Sequence, residues 1–539
     1  MSIPAVVLLE LLKSLSVERF ANGVSMKYVT AAFLLICGTS TLSAQVERTL
    51  GPTDPVKVSG GEIAGAEDGT LKRFLGVPFA APPVGALRWR APQPPVPWSG
   101  VRKAQRFSAA CAQTADWIPG PKSEDCLYLN VWAPRNAKGL PVIVWIHGGG
   151  YYGGTGAQPL YDGSNLAKRG VIVVTLNYRL GIFGFFSHPQ LTAESPGKAS
   201  GNQGILDQIF ALRWVKNNVA QFGGDPRRVT VMGESSGAES VAILIASPLA
   251  KGLFQRAIAE SGNDAMPISP EENADFDRNA AEAKGLAFAV SAGAKNLARL
   301  RAMSAEAVQK HAWSPRTIVD GYVLREDLTT TYRNNRQNDV PLLVGWNAQE
   351  GKDLAPEILG TNNFTAANHK ELVTKLLGYT PPSKLLTRYP GSDDKQAKAS
   401  IDQLTNDWWG WRMWYWAALQ RKYGRAPAYV YFFAHPPAPP LTPCGYACGV
   451  GHGVEIQYVF DNLHLDPRHW AVADRDLATQ LAKTWVAFAR SGSPNKPGLP
   501  VWPAFNGSPT TVRLIAVGGD AQMYGRMPDF TVFERGSAK

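Results

Sequence analysis

Residues 229–240 read Val-Thr-Val-Met-Gly-Glu-Ser-Ser-Gly-Ala-Glu-Ser, which sets Gly233-Glu234-Ser235-Ser236-Gly237 between a β-branched strand and a helical stretch. A serine in that setting stands at the tip of a sharp turn with its hydroxyl exposed. The turn is so tight that side chains two before and two after the serine would collide, so glycine fills both places. Of the two adjacent serines only Ser235 is flanked symmetrically, by Gly233 and Gly237; Ser236 offers its backbone N–H instead. The chemistry this implies is attack of an alcohol oxygen on a carbonyl, which further requires a base, a group to orient the base, and donors for the oxyanion.

The donors are expected from His147-Gly148-Gly149-Gly150, directly after the apolar run 142–146. A glycine-rich loop at that point supplies rigid backbone N–H groups, and losing one such donor typically costs about 2.7–4 kcal/mol. Gly149, Gly150 and Ser236 are the expected oxyanion hole. The overlapping segment 148–153 also fits G-x-G-x-x-G, but a dinucleotide site needs a helix opening at once and an acidic residue after the next strand, where this chain has Asn177. With this kind of turn the acid and the histidine follow the serine in chain order. Five histidines lie after Ser235 and beyond 262–340: His369, His435, His452, His464 and His469. His452 sits in Gly449-Val450-Gly451-His452-Gly453-Val454-Glu455, a glycine-framed loop able to project over a neighbouring turn. Glu350 follows the apolar run 342–345, at the carboxyl end where open sheets place their sites. Position alone leaves Glu350 one among many glutamates, most of which are solvated surface groups.

Elements must hold these residues together. Short, nearly continuous apolar runs at 142–146, 171–176, 229–232, 342–345 and 429–433 read as strands buried on both faces. Helical periodicity spans 204–219 and 477–489, where Leu477, Leu481, Trp485 and Phe488 recur at spacings of four, four and three. Their alternation predicts an α/β fold with a mostly parallel sheet covered by helices. The Pro-rich stretches 81–97 and 435–443 contain apolar and aromatic residues and read as ordered connections, so residues 45–539 are expected to form one domain, with 262–340 as a helical cap.

Composition is that of an ordinary folded protein, with 45% hydrophobic and 18% charged residues in 539. The net charge of +11 is a common route to solubility, and no zinc-finger spacing, RNP-like strand or run of basic residues points to nucleic acid. The segment 1–44 reads as a leader with a signal peptide. Met26-Lys27 precedes an apolar core at 28–37 and a small polar stretch ending at Ala44, with Met26 the expected start and cleavage expected after Ala44. The apolar core falls short of the ~20 residues a membrane span needs, so the mature chain is expected to be secreted or periplasmic with no integral membrane segment. Four cysteines then remain, Cys111, Cys126, Cys444 and Cys448, and disulfides are the default reading in an exported chain. Pairing Cys111 with Cys126 closes a loop worth roughly 3 kcal/mol; the other pairings stay open.

With these segments in place the chain resembles the type-B carboxylesterases, the cholinesterase-like α/β-hydrolases, over about 56–533. The resemblance rests on Phe74-Leu75-Gly76-Val77-Pro78-Phe79-Ala80 with Pro82-Pro83, on Ser123-Glu124-Asp125-Cys126-Leu127-Tyr128-Leu129-Asn130, on Phe222-Gly223-Gly224-Asp225-Pro226, and on His-Gly-x-Glu-Ile from His452 to Ile456. It implies an α/β-hydrolase fold, a triad of Ser235, Glu350 and His452, oxyanion donors at Gly149, Gly150 and Ser236, and a disulfide between Cys111 and Cys126. It also implies hydrolysis of small-molecule carboxylic esters without cofactor or metal. Ser236 stands where the family usually has alanine, which leaves the N–H in place. The loop between Cys111 and Cys126 is shorter than in cholinesterases, so Trp117 is not assigned their choline-binding role. Cys444 and Cys448 lie outside the family pattern, and a small disulfide steadying the histidine loop is expected of them. Substrate-binding candidates are Tyr151 and Tyr152 beside the oxyanion loop, Trp408 and Trp411 in a tryptophan cluster, and Arg412, which could meet an anionic acyl group. Core packing and a surface ion pair are the plainer readings of the last three. Amide, thioester or lipid hydrolysis on the same fold, and a non-catalytic binding module, are the alternatives.

Overall fold

Parallel strands bring their carboxyl ends to one edge, and that single fact assembles the residues picked out above. The computed structural model describes residues 50–262, 276–441, 449–516 and 530–533; the leader, Cys444 and Cys448 lie outside them. Eleven strands form the main sheet: β1 (Gly51–Pro52), β2 (Ala66–Glu67), β3 (Leu71–Pro78), β4 (Tyr128–Pro134), β5 (Leu140–Ile146), β6 (Ile172–Leu176), β7 (Gly224–Glu234), β8 (Arg256–Glu260), β9 (Leu342–Asn347), β10 (Ala428–Phe433) and β11 (Val512–Ile515). Their order is β1-β2-β3-β4-β6-β5-β7-β8-β9-β10-β11. From β6 to β11 every neighbouring pair is parallel, whereas β1 to β4 are antiparallel and β4 joins β6 antiparallel. This is the mixed sheet of an α/β-hydrolase.

The five apolar runs read as strands are β5, β6, β7, β9 and β10. β5 shows why they read as continuous. Val142, Val144 and Ile146 belong to one core cluster with Ile205, Ile209 and Leu212 of helix α1 (Gln203–Asn218) and Val241 and Ile245 of α2 (Ser236–Ala246). Ile143 and Trp145 face the other way, into a cluster with Leu477, Leu481, Trp485 and Phe488 of the later helix Val472–Ser491. Both faces are covered by helices, so both side-chain sets must be apolar.

Two elements were not legible as patterns. The antiparallel edge carries few long apolar runs. Helix Asp394–Tyr423, capped by the Asp393 carboxylate accepting from the N–H of Gln396, buries Trp408, Trp409, Trp411 and Trp416 on more than one side and so lacks a single apolar stripe. Within the expected cap, helices Arg278–Ser291, Leu297–Ala302, Ala305–Gln309 and Leu328–Arg333 are described. Among the described residues, no helix is long and apolar enough to cross a membrane.

Candidate active site

Ser235 sits between β7 and α2 at φ 56°, ψ −127°, a conformation a non-glycine residue adopts only when its surroundings impose it. They do so here. The Ser235 N–H donates to the Glu260 carbonyl at 2.9 Å, and its carbonyl accepts from the Glu239 N–H at 3.0 Å. A Cβ on Gly237 would lie 2.1 Å from the Ile146 carbonyl oxygen, so the start of α2 presses directly on the end of β5. Strand register explains the proximity, since Ile146 pairs with Gly233.

The loop after β5 folds over this turn. A Cβ on Gly148 would meet the Ser235 Cβ at 2.9 Å, and Gly149 holds φ 104° with the Gly153 carbonyl oxygen 2.3 Å from where its Cβ would be. Among the described residues no hydrogen bond engages the N–H groups of Gly149, Gly150 or Ser236. The loop is pinned from three directions. Gln113 exchanges two hydrogen bonds with Gly154, at 2.8 and 2.9 Å, and the Tyr151 N–H donates to the Ser236 hydroxyl at 3.3 Å. The buried His147 ring stacks on Tyr178 at 4.5 Å, while the Tyr178 hydroxyl donates to the His147 carbonyl. Burial lowers the His147 pKa to about 4, so this imidazole is neutral near pH 7.

Glu350 and His452 meet across the same edge. Glu350 opens helix α3 (Glu350–Leu359) three residues beyond the end of β9 and is fully buried. One carboxyl oxygen accepts from the Asn347 N–H at 2.7 Å; the other lies 2.7 Å from His452 Nδ1. Its own N–H donates to the Asn406 side chain at 2.9 Å. His452 Nε2 has no hydrogen-bond partner among the described residues and lies 3.2 Å from a carboxyl oxygen of Glu234, the residue preceding Ser235. The Trp409 ring stands edge-on to the imidazole at 6.1 Å, fixed by its N–H donating to the Ser261 carbonyl at 2.7 Å.

Three buried carboxyls, Glu234, Glu350 and Glu455, act on this imidazole, and a fourth, Glu260, lies behind Glu234 and Glu455. Burial drives Glu234, Glu260 and Glu455 up from the usual carboxylate range, and their mutual repulsion adds to it. At His452 burial opposes the charged form, but Glu234 and Glu350 outweigh it and move the imidazole up. A proton on Glu234 removes the charge that raises His452, so the two shifts compete for one proton rather than add.

The substrate candidates divide. Tyr152 is 37% exposed beside the oxyanion loop, with its hydroxyl 3.3 Å from Glu357. Tyr151 turns inward against Phe185 at 4.7 Å. Trp408 and Trp411 are buried and packed on each other and on Phe533, so their faces are occupied by protein. The Arg412 guanidinium stacks over Trp408 and Trp409 at 5.2 and 5.4 Å, one ring removed from His452. The structure adds residues to which the sequence had given no role in the site. Glu234 was visible inside the pentapeptide, but Asn406 and Trp409 come from a helix whose register over the site no local pattern gives. Trp117, 49% exposed, lies along the oxyanion loop, where a Cβ on Gly153 would meet its ring at 2.7 Å. Cys111 and Cys126 are joined in a disulfide. Among the described residues, no group of three or more His, Cys, Asp or Glu is arranged to hold a metal ion.

Comparison with known proteins gives the same direction as the geometry. The model of the carboxylesterase family matches residues 52–527. The chain is 36% identical over 512 residues to a fumonisin B1 esterase of Sphingopyxis macrogoltabida, covering 92% of this chain and 91% of that protein. It is 36% identical over 476 residues to the para-nitrobenzyl esterase of Bacillus subtilis (strain 168), covering 83% and 91%. A solved PNB esterase structure superposes with a TM-score of 0.72 at 33% identity, covering 86% of this chain and 96% of that one. A serine-tipped turn under a glycine loop, an imidazole bound to Glu350 and set 3.2 Å from the residue before that serine, and relatives matched along nearly their whole length together place this chain in the carboxylesterase family.

Proposed function

We propose that the chain hydrolyses carboxylic esters of small molecules through an acyl-enzyme on Ser235. Ester hydrolysis is the activity of the family, and the observation that carries the residue assignment is the 2.7 Å contact between His452 Nδ1 and Glu350. That contact fixes the tautomer that leaves Nε2 as the proton acceptor. Ser235 Oγ attacks the ester carbonyl carbon and passes its proton to His452 Nε2. The carbonyl oxygen, now an anion, is held by the N–H groups of Gly149, Gly150 and Ser236. Collapse of the tetrahedral species breaks the C–O bond to the alcohol, which takes the proton from Nε2. A water then repeats the sequence on the acyl carbon, releasing the acid and restoring Ser235.

Trp117 and Tyr152 border the glycine loop and favour an apolar acyl or alcohol group. Export is part of the same reading. The leader 1–44 is removed and the domain 45–539 works outside the cytoplasm, which the Cys111–Cys126 disulfide supports. The test is a pair of single substitutions read with p-nitrophenyl esters and a fluorophosphonate label. Ser235→Ala is expected to abolish labelling and remove about six orders of magnitude of kcat, by analogy with another triad enzyme. Ser236→Ala keeps the backbone donor and is expected to retain most activity. Reversed results would move the nucleophile to Ser236.

A further inference from the structure

His452 is fixed at its ring by Glu350, but a ring contact alone does not fix where the backbone carries the ring. The loop approaching it is held along three successive residues by the segment 347–353. The Val450 N–H donates to the Gln349 side-chain oxygen and the Gln349 N–H to the Val450 carbonyl, both at 2.9 Å. The Gly451 carbonyl accepts from the Asn347 amide at 2.9 Å. The His452 N–H donates to Asp353 Oδ2 at 3.0 Å. A Cβ on Gly451 would lie 1.9 Å from that same oxygen, so the absence of a side chain at 451 is what lets the carboxyl reach the N–H. Asp353 and the loop residues Gly449, Gly451, His452 and Gly453 together border a cavity of 280 Å³, so packing does not fill that side.

From this geometry we propose that Asp353 is a positioning residue for the reaction: it holds the backbone N–H of His452 while Glu350, one helical turn earlier on α3, holds its ring. The inference rests on His452 being the base. Residues three apart on a helix share a face, so one rigid helix sets both the depth of the imidazole and its rotation. In that bond Asp353 acts only as an acceptor, and an asparagine oxygen can replace it. Its charge is a separate matter. The imidazole is also faced by Glu234, Glu350 and Glu455, and Lys352 lies near Asp353, so Asp353 supplies one of several fields at that ring.

The test uses the whole chain with p-nitrophenyl ester kinetics, a kcat–pH profile and fluorophosphonate labelling. Asp353→Ala is expected to lower kcat roughly 10- to 100-fold with KM within about threefold, the scale on which a misplacement of about 1 Å acts. Asp353→Asn is expected to recover kcat to within about fivefold of wild type, with the acid limb displaced to lower pH because one negative charge near the imidazole is gone. Gly451→Ala, which crowds the carboxyl off the N–H, is expected to resemble Asp353→Ala, and it carries the test should that variant not fold. An alanine variant within threefold of wild type in kcat, or an Asp353→Asn variant as slow as Asp353→Ala, would overturn the assignment. Wild-type protein that neither labels nor hydrolyses esters would instead refute the proposed function itself.

Discussion

Replacing Gly149 by alanine separates the oxyanion loop from every other feature of the site. The residue sits at φ 104°, and the added methyl carbon would lie 2.3 Å from the Gly153 carbonyl oxygen. That contact must open by about 1 Å to reach ordinary van der Waals separation, and because Gly153 is backbone, the loop itself has to move. Holding alanine at such a φ costs about 1–3 kcal/mol more. The loop relieves both by rotating, which turns the Gly149 N–H away from the oxyanion. Loss of one such donor is worth about 2.7–4 kcal/mol, hence a fall of roughly 100- to 1000-fold in kcat. The assay is steady-state hydrolysis of p-nitrophenyl acetate with kcat and KM resolved, since a donor used only in the transition state leaves KM nearly unchanged. Gly69→Ala is the control. Gly69 has φ 84° with open space around it, so its alanine bears backbone strain without touching the site. If Gly149→Ala kept kcat within threefold of wild type, or if Gly69→Ala lost as much, the loop would not be the oxyanion hole.

Two further outcomes follow from the surroundings of the triad. Glu234→Gln removes a carboxyl 3.2 Å from His452 Nε2; at that separation a full charge is worth about 1–5 kcal/mol between effective dielectrics of 80 and 20. The charge raises the imidazole pKa and the base must be neutral to act, so its removal is expected to move the acid limb of kcat/KM to lower pH by about a unit or more. An unmoved limb in the pH–rate profile would show that Glu234 carries no charge there in the working enzyme. Replacing Cys111 and Cys126 by serine opens a loop with a sequence separation of 15, expected to cost about 3 kcal/mol in urea unfolding. Because Gln113 lies inside that loop and pins Gly154, the same variant is expected to lose kcat before it unfolds; unchanged kcat in the folded variant would detach the disulfide from the oxyanion loop.

The sequence by itself determined the residues whose requirements are local. Gly233, Ser235 and Gly237 are legible because a turn that sharp excludes side chains at fixed offsets, and β5, β6, β7, β9 and β10 are legible because strands buried on both faces must be apolar throughout, whereas the short β8, bounded by Arg256 and Glu260, was not read as one. His452 was marked by its glycine-framed loop and Glu350 by its place after an apolar run, but position alone left Glu350 one among many glutamates until the order of motifs matched a family. The tertiary structure decided the rest, since it depends on which elements the parallel sheet brings to one edge. It placed Glu234 against the imidazole and brought Trp409 and Asn406 in on a helix buried on several sides. It put Asp353 under the histidine backbone and turned Trp408 and Trp411 into packing. Those roles arise from contacts between segments about 50 to more than 200 residues apart, where no spacing rule of helix or strand reaches.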